Sequence, residues 1–345
     1  MKTDYLSYGE IHEQYHALGQ TLAYIEAHRD AIASFLGGSG DVVFLASGSS
    51  YWMSLSACTT MQVRTGRHAF AVKAGDALLC GGDYKGIYQN PIFICPSRYG
   101  KTTEVLKAIG IMKAMYPEST VLAITEYADT PLEAMADLTL RIPWAAEESV
   151  CQTRSFSNLY LAAILMADIV AGRTALFEGA RRYLDAAPGL YAKHEPMAAG
   201  IAASMPGSIV SLGCGLQYGV CIEGAYIVLE MAEFNANYYQ LLEYRHGPIV
   251  TADKNTCVFI LSRGGAEAYE RKLAEDVEKT GAAVYVIACG QPDDVRSTFA
   301  LGDAYPDEIT ALHYVFCMQS LAFHLSLARG RNPDSPGSLV PFIEI

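Results

Sequence analysis

The chain is poor in positive charge and lacks two common nucleotide-binding motifs. Its 345 residues carry 25 Lys and Arg against 37 Asp and Glu, a formal net charge of -12. Nucleic acids and anionic membrane surfaces attract basic faces, so this balance argues against both as partners. No GxxxxGK[ST] sequence occurs and no GxGxxG follows an apolar run, which excludes the nucleotide P-loop and the dinucleotide fingerprint.

Disulfide-type cysteine spacing and membrane signals are also missing. The nine cysteines are scattered, mostly within apolar runs, and none forms a CxxC pair, a pattern that predicts buried, reduced thiols. The N-terminus lacks the apolar core of a signal peptide, and no apolar run reaches the length that spans a bilayer. We therefore expect a protein of the cytoplasm that enters no membrane.

What the sequence does contain is a repeated segment. Residues 45–51 and 212–218 each follow an apolar run, and their Leu, Gly and Tyr align at one constant offset. Each segment predicts a buried strand, a tight Gly turn and the start of a helix. That geometry presents backbone N–H groups and small hydroxyls at a helix N-terminus, which is a ready site for an anion such as phosphate.

The chain is 51% hydrophobic, which suits two domains of ordinary size. Apolar strands alternate with helices from residue 42 onward, and the pattern restarts near residue 208. Continuous apolar strands indicate parallel sheets covered on both faces. We predict an α/β fold of two tandem, doubly wound parallel-sheet domains with flanking helices. Strands are predicted over 42–47, 69–72, 91–96, 120–125, 138–143, 208–213, 256–262 and 283–288.

The predicted domain boundaries follow from this pattern and from the proline positions. Pro188 and Pro196 are expected to break the helical segment that joins the two domains. The segments are N-terminal helices over 1–34, a first domain over 35–172, a helical connector over 173–204, a second domain over 205–330 and an irregular tail over 331–345.

Three loops at predicted strand ends or helix starts carry polar groups. Residues 48–50 and 97–102 offer hydroxyls and backbone amides, and Arg98 or Lys101 can add charge to a phosphate site. Residues 147–155 combine carboxylates and hydroxyls, which can bind sugar hydroxyls. The alternative for each loop is a plain helix start, with Ser and Thr as caps and the acidic residues suited to the helix dipole.

The second predicted domain supplies candidates for acid–base chemistry. Glu223 and Glu230 lie two helical turns apart on one face of an apolar helix, and His246 follows within a Tyr-Arg-His-Gly-Pro sequence. A carboxylate inside an apolar helix is costly unless it is paired or functional. A Glu base with a His beside it suits proton transfer at a carbon next to a carbonyl. The alternative is a Glu at the solvent edge and a His that caps a helix.

Together these motifs resemble the tandem sugar isomerase (SIS) domain family over nearly the whole chain. The family's Gly-Thr-Ser-Tyr motif corresponds to residues 48–51, its Ser-x-Ser-Gly-x-Thr phosphate loop to 97–102 and its Glu-x-x-Val to 147–150. Its Glu-Gly-Ala-(x)4-Glu corresponds to 223–230 and its Glu-x-x-His-Gly-Pro to 243–248. In pattern the chain is most similar to the isomerase half of glucosamine-6-phosphate synthase, to amino-sugar-phosphate deaminase/isomerases and to fructosamine-6-phosphate deglycases.

The resemblance implies SIS-type, flavodoxin-like domains and a sugar phosphate as the small-molecule substrate. It assigns the phosphate to five side chains in the first two loops: Ser49, Ser50, Ser97, Arg98 and Thr102.

The resemblance also assigns the remaining site residues. Gly48, Glu147 and Thr153 are expected to bind the sugar, and Glu230 to move a proton between C1 and C2. His246 is expected to open the sugar ring or to act as the second acid/base. In relatives this His comes from the neighbouring subunit, which implies a homodimer with its active site at the subunit interface. No metal or organic cofactor is expected.

Three positions depart from the family pattern. Tyr99 replaces the second Ser of the phosphate loop. The family's Glu-x-x-Val motif is followed by Thr-Lys-Ala-Phe, which corresponds to residues 153–156, and Arg154 replaces the Lys there. The isomerases end with a Lys, whereas no Lys follows Lys279 here and Pro341 stands about where that Lys would fall.

The sequence leaves three functions open. The first is an aldose–ketose isomerase of a sugar or amino-sugar 6-phosphate, with or without release of an amine. The second is a fructosamine-6-phosphate-type deglycase, which uses the same opening proton transfer. The third is a non-catalytic phosphosugar sensor, which the lack of a basic N-terminal domain disfavours.

Overall fold

The computed structural model describes residues 2–290 and 297–342. Residue 1, residues 291–296 within the predicted second domain and residues 343–345 of the predicted tail lie outside the described residues. The chain divides into two compact units. The first unit comprises Gln14–Glu147, Gln152–Arg181 and the segment from Val340 onward; the second comprises the chain up to Glu13, Glu148–Cys151 and Arg182–Leu339.

Strands and helices alternate along both units. The strands are β1 (Val42–Ala46), β2 (Ala69–Lys73), β3 (Ile92–Pro96), β4 (Thr120–Thr125), β5 (Leu138–Arg141), β6 (Ser208–Gly213), β7 (Ala236–Gln240), β8 (Thr256–Leu261), β9 (Ala283–Ala288) and β10 (Ser297–Ala300). The helices are α1 (Leu6–His12), α2 (Gln14–Ala27), α3 (Arg29–Leu36), α4 (Ser49–Thr65), α5 (Ala74–Leu79), α6 (Thr103–Met115), α7 (Pro131–Met135), α8 (Arg154–Val170), α9 (Ala175–Ala203), α10 (Tyr218–Ala232), α11 (Glu267–Glu278) and α12 (Asp307–Ala328).

The sheet of the first unit is parallel throughout, with the strand order β2-β1-β3-β4-β5. Every residue of β1 and of β3 is buried, as continuous apolar strands require when helices cover both faces. Val43 of β1 pairs with Phe70 of β2 on one side and with Phe93 of β3 on the other. The order reverses between β1 and β3, and that switch point is where ligands bind in doubly wound folds.

The sheet of the second unit repeats this topology. Its order is β10-β9-β8-β6-β7, so its first strand, β6, again lies between the second and the third strands of the unit. The predicted fold class of two tandem, doubly wound parallel-sheet domains is therefore confirmed. The edge strands β7 and β10 were not predicted. β7 carries partly exposed polar and aromatic residues because one side of it lacks a neighbouring strand, so it shows no apolar run.

The predicted break of the connecting helix at its prolines is wrong. α9 continues through both Pro188 and Pro196. A proline inside a helix removes one backbone hydrogen bond and costs about 3 kcal/mol. Burial of apolar residues along the helix, among them Ala187, Tyr191 and Ala198, offsets that cost. The N-terminal helices predicted over residues 1–34 are α1, α2 and α3, the last of which ends at Leu36.

One expectation about hydrophobic length also needs correction. By length and composition α12 could cross a membrane, although the sequence analysis found no run long enough. Within its most apolar window, however, 83% of the residues are buried inside the protein, which identifies α12 as a core helix. The expectation of buried thiols holds for six of the nine cysteines, while Cys80 is exposed and Cys214 and Cys289 are partly exposed.

Candidate functional site

A polar pocket lies at the switch point of the first sheet. β1 ends at Ala46, and Gly48 then adopts a positive φ of 57° before α4 begins at Ser49. A Cβ on Gly48 would meet no atom within 4 Å, so the turn faces open space. The N–H groups of Tyr51 and Trp52 donate to the carbonyl oxygen of Gly48, so an anion at this turn would face the N–H groups of Ser49 and Ser50 at the very start of the helix.

The pocket is a small cavity of about 30 Å³. Four of the five residues predicted to bind phosphate line it. Ser49 does not, although it is buried at the start of α4. The lining residues are Ser47, Ser50, Pro96, Ser97, Arg98, Tyr99, Thr102, Val105, Gln152 and Pro341.

Two lining residues that sequence reasoning missed have polar atoms in need of a partner. Within residues 2–290 and 297–342, the buried Oγ of Ser47 and the buried Oε1 of Gln152 form no hydrogen bond. A buried polar atom without a partner costs about 1–3 kcal/mol, so such atoms are rare unless a ligand or water completes them. Both positions were accessible to sequence analysis, since Ser47 ends the repeated strand and Gln152 directly precedes a predicted helix.

The conformation of the second loop, residues 97–102, requires a glycine. Gly100 has a positive φ of 60°, and a Cβ there would lie 2.5 Å from Oγ1 of Thr130, so only Gly fits. Its N–H donates to Oγ of Ser97 over 3.2 Å. Thr102 is the N-cap residue of α6, but its side chain makes no capping hydrogen bond. The capping alternative therefore fails for Thr102.

The guanidinium of Arg98 is buried and is bonded to a carboxylate and to a backbone carbonyl oxygen. Its Nη1 lies 3.1 Å from Oε1 of Glu147, and its Nη2 donates to the carbonyl oxygen of Pro341 over 3.1 Å. Burial works against the charge, but the adjacent Glu147 carboxylate raises the pKa of the Arg98 guanidinium. Arg98 therefore stays charged, while much of its charge is neutralised by Glu147.

Glu147 connects that arginine to the start of α8. Its Oε2 accepts hydrogen bonds from the Thr153 N–H over 3.0 Å and from Thr153 Oγ1 over 2.7 Å. The Ser155 hydroxyl donates to Oε1. Glu147 and Thr153 were predicted to bind the sugar. In the structure they are buried and bonded to each other, an arrangement that suits a carboxylate at the positive end of a helix.

Aromatic side chains line one side of the pocket at Tyr99. Its ring stacks on Tyr127 with the centroids 5.0 Å apart and contacts Phe342 at 5.4 Å. The Arg98 guanidinium lies over the same ring, 4.6 Å from its centroid. Pro341 contributes a carbonyl oxygen, not a cation, to the pocket.

The predicted acid–base residues belong to the second unit. Glu223 is buried near the middle of α10, whereas Glu230, two turns later, is partly exposed. Between them, Gly224 allows α10 to approach α12 closely, because a Cβ there would lie 2.6 Å from both Cε1 and Oη of the buried Tyr314.

His246 ends a short 3-10 helix, Glu243–His246, and is exposed. Two neighbours fix this helix: Tyr244 is buried against Tyr239, and Arg245 forms an ion pair with Asp276 of α11 at 2.7 Å. Gly247 follows with a φ of 140°, which only glycine adopts readily. The imidazole of His246 is therefore exposed on a turn that these contacts hold in place.

In the second repeated turn, at Gly215, a side chain of the protein occupies the space that is open at Gly48. Gly215 has a φ of 56°, nearly equal to that of Gly48. A Cβ on Gly215, however, would overlap the guanidinium of Arg263. Arg263 is held there by Asp307, whose Oδ2 lies 3.3 Å from its Nε. The two repeated turns thus share a backbone shape but differ in the space that they leave.

Comparisons with known proteins agree with this fold. Residues 204–328 match the SIS domain family. The chain is 25% identical over 346 residues to glutamine–fructose-6-phosphate aminotransferase (isomerizing) of Sulfolobus acidocaldarius. That match covers 97% of this chain but only 56% of the relative, so the chain spans little more than half the length of that protein.

Two solved structures are similar over nearly their whole length. Glucosamine-6-phosphate deaminase from Thermotoga maritima gives a TM-score of 0.77 at 25% identity and covers 94% of this chain and 99% of its own. Tagatose-6-phosphate ketose/aldose isomerase from Escherichia coli gives a TM-score of 0.87 at 22% identity, with 98% and 96% covered. The chain therefore contains an SIS domain and shares its fold with solved structures of a sugar-phosphate deaminase and a sugar-phosphate isomerase.

Proposed function

We propose that this chain is a phosphosugar-converting enzyme of the cytoplasm. Its reaction is the aldose–ketose isomerisation of a sugar or amino-sugar 6-phosphate, with or without release of an amine. The pocket at the end of β1 and β3 holds the phosphate, and Glu230 and His246 carry the proton transfers.

The observation that carries this proposal is the unsatisfied polar lining of the pocket. Ser47 Oγ and Gln152 Oε1 have no hydrogen-bond partner within the described residues, and the helix N-terminus beside them favours negative charge. In a protein with a net charge of -12, an anionic group needs locally placed donors. The Ser47 hydroxyl and the N–H groups of the helix N-terminus can donate to the phosphate, whereas Oε1 of Gln152 can only accept a hydrogen bond, for example from a sugar hydroxyl.

In the proposed reaction Glu230 takes a proton from the carbon next to the carbonyl group. The C–H electrons form the C=C bond of an enediol, while the electrons of the C=O double bond move to the carbonyl oxygen, which takes up a proton from solvent. Glu230 then returns the first proton to the neighbouring carbon, and the hydroxyl on the first carbon releases its proton to solvent as it becomes the new carbonyl group. A positioned general base of this kind contributes about 10²–10⁴-fold in rate. His246 acts earlier, when it transfers the proton that opens the sugar ring.

The first test is the variant Glu230→Gln, which keeps the shape of the side chain and removes its basicity. We expect kcat for isomerisation to fall by about 10²-fold or more, while the Kd for the sugar phosphate changes little. Glu233→Gln is the matched control, because Glu233 lies just beyond α10, is exposed and pairs with Arg331. Turnover of fructose 6-phosphate and glucosamine 6-phosphate, with ammonia release measured in parallel, gives the readout.

Undiminished turnover in Glu230→Gln would remove that carboxylate from the mechanism. A wild-type protein that binds sugar phosphates, seen as a ligand-dependent rise in Tm, but turns over none of them would instead support the sensor function. No binding of any sugar phosphate would overturn the proposal as a whole.

We further propose that the enzyme is a homodimer in which each active site takes His246 from the partner copy. Mixing Glu230→Gln with His246→Asn subunits then creates hybrid dimers with one intact site. We expect an equal mixture, after exchange of subunits, to recover about a quarter of wild-type activity from two nearly inactive parents. A mixture that stays inactive, despite hybrid dimers seen by mass spectrometry, would place both groups on the same chain.

A deglycase of fructosamine 6-phosphates is the second candidate. The observation that favours it is the carbonyl of Pro341 at the pocket, where the isomerases carry a Lys. Release of a free amine or amino acid from a fructosamine 6-phosphate, faster than isomerisation of the simple sugar phosphates, would select this activity.

A further inference from the structure

Two histidines and one cysteine form a cluster in the core of the second unit. His194 lies on α9, and His313 and Cys317 lie on α12. Each is at most 1% exposed. One ligand atom from each of the three residues lies within 4.8 Å of the others.

The helix geometry explains why these side chains meet. His313 and Cys317 are four residues apart on α12 and therefore share one face of it. His194 faces them from α9, with its Nδ1 2.7 Å from Nε2 of His313. The other ring nitrogen of His313, Nδ1, lies 3.4 Å from the Tyr183 hydroxyl.

Both imidazoles are neutral at physiological pH. Burial lowers the pKa of His194 to about 4 and lowers the pKa of His313 further below its ordinary value. Each ring therefore offers one nitrogen lone pair, which is the form that binds metals. In addition, Nε2 of His194 is buried and has no hydrogen-bond partner among the described residues.

We propose that His194, His313 and Cys317 form a binding site for a borderline transition-metal ion such as Zn²⁺. Zinc binds both imidazole nitrogen and thiolate sulfur, and three protein ligands leave the fourth position of its tetrahedron to a small exogenous ligand. The site would stabilise the packing of α9 against α12 and takes no part in the proton transfers proposed above.

Metal binding would change the protonation of the three side chains and the distance between the two imidazole rings. Cys317 releases its thiol proton to the surrounding water as the ion binds during folding. Each imidazole keeps one N–H after the proton between the rings moves to the outer nitrogen of its ring. Two nitrogens bound to one zinc at 2.0–2.1 Å stand about 3.3 Å apart, so the rings must separate by about half an ångström. Because the three residues are buried, the ion enters while the chain folds rather than afterwards.

The test is the metal content of the full chain expressed with zinc in the medium and passed over a chelating resin. We expect about one zinc ion per chain in the wild type and in Cys221→Ala. Cys221 is a matched control because it is an equally buried thiol of the same unit, on α10. We expect Cys317→Ala to retain less than about a tenth of that zinc.

A second measurement avoids reliance on the variant. Wild-type chain refolded with Co²⁺ should show a thiolate-to-cobalt charge-transfer band and the intense visible bands of a tetrahedral site. Cys221→Ala should show the same spectrum. The proposal is overturned if the wild type retains no zinc and no such band appears, which would leave a hydrogen-bonded histidine pair beside a thiol. Zinc retained equally by Cys317→Ala would also overturn it, since the ion would then bind elsewhere.

Discussion

At the scale of single residues, the site is defined by polar atoms that lack partners rather than by charge. The buried cation of the pocket, Arg98, is engaged by Glu147 and by a backbone carbonyl. The hydroxyl of Ser47 and the amide oxygen of Gln152 have no such partner within the described part of the chain. A ligand therefore gains most from Ser47 and Gln152, because their desolvation cost is already present in the free protein.

This reasoning gives a prediction for Ser47→Ala. Loss of a hydrogen bond to a charged ligand costs about 1.5–3 kcal/mol, so we expect the Kd for a sugar phosphate to rise roughly tenfold or more. Stability of the free protein should stay unchanged or rise slightly, because an unsatisfied buried hydroxyl is removed. Isothermal titration and thermal unfolding measure the two quantities.

Ser119→Ala is the matched control. Ser119 is also buried with an Oγ that has no partner in residues 2–290 and 297–342, but it precedes β4, at the opposite end of the sheet. We expect its removal to leave the Kd unchanged. Equal Kd values for wild type and Ser47→Ala would show that the ligand does not reach the pocket.

The site could be predicted from sequence only in part. Loop position and residue type were enough to select Ser50, Ser97, Arg98 and Thr102, because strand ends in a parallel sheet meet at one edge. Whether a hydroxyl is satisfied depends on neighbours far away in the chain. For that reason Ser47 was missed.

At the scale of elements, close packing of α10 on α12 depends on one small residue. Gly224 lies against the buried ring of Tyr314, whose hydroxyl is bonded to Ser211 and therefore cannot move easily. The same Gly stands in the Glu-Gly-Ala motif that links Glu223 to Glu230. Its presence there has a packing reason, besides any role of the flanking carboxylates.

We expect Gly224→Ala to destabilise the protein by about 1–3 kcal/mol, the usual cost of overpacking a core. Gly110→Ala on α6 is the control: Gly110 is exposed in a helix interior, and a Cβ there meets no atom within 4 Å. That change should stabilise by about 0.4–1 kcal/mol. Denaturant unfolding measures both, and a Gly224→Ala protein as stable as the wild type would contradict the packing argument.

Strands were predicted correctly where apolar runs were continuous. Prediction failed for a strand at the edge of a sheet and for a helix whose stability depends on contacts with residues distant in the sequence. β4, β6 and β9 were predicted to the residue, since buried parallel strands carry an unbroken apolar signal. The edge strand β7 carries no such signal. The continuation of α9 through two prolines depends on tertiary burial, which local propensity cannot reveal.

At the scale of the whole molecule, buried histidines make stability sensitive to acid. His194 has an ordinary pKa of 6.5 and a folded-state pKa of about 4, and the pKa of His313 is lowered as well. Below pH 6.5 the unfolded chain takes up protons that the folded protein excludes. The stabilisation is therefore complete above the unfolded pKa and is lost as the pH falls toward the folded pKa.

We expect His194 alone to remove about 2 kcal/mol of stability between pH 7 and pH 5. Thermal midpoints measured over this range, with a chelator present so that no metal contributes, should fall steadily. His194→Asn should flatten the slope, whereas His68→Asn should not, because the His68 side chain is 84% exposed. Equal midpoints at pH 7 and pH 5 would contradict the argument.

The filled turn at Gly215 has an evolutionary consequence. The two glycines stand at matching positions of the repeated segment and share a positive φ, but their surroundings differ. At Gly48 only the backbone angle opposes a side chain, whereas at Gly215 a neighbouring guanidinium opposes it as well. We expect Arg263 and Gly215 to vary together among related chains, and Gly48 to vary independently of them.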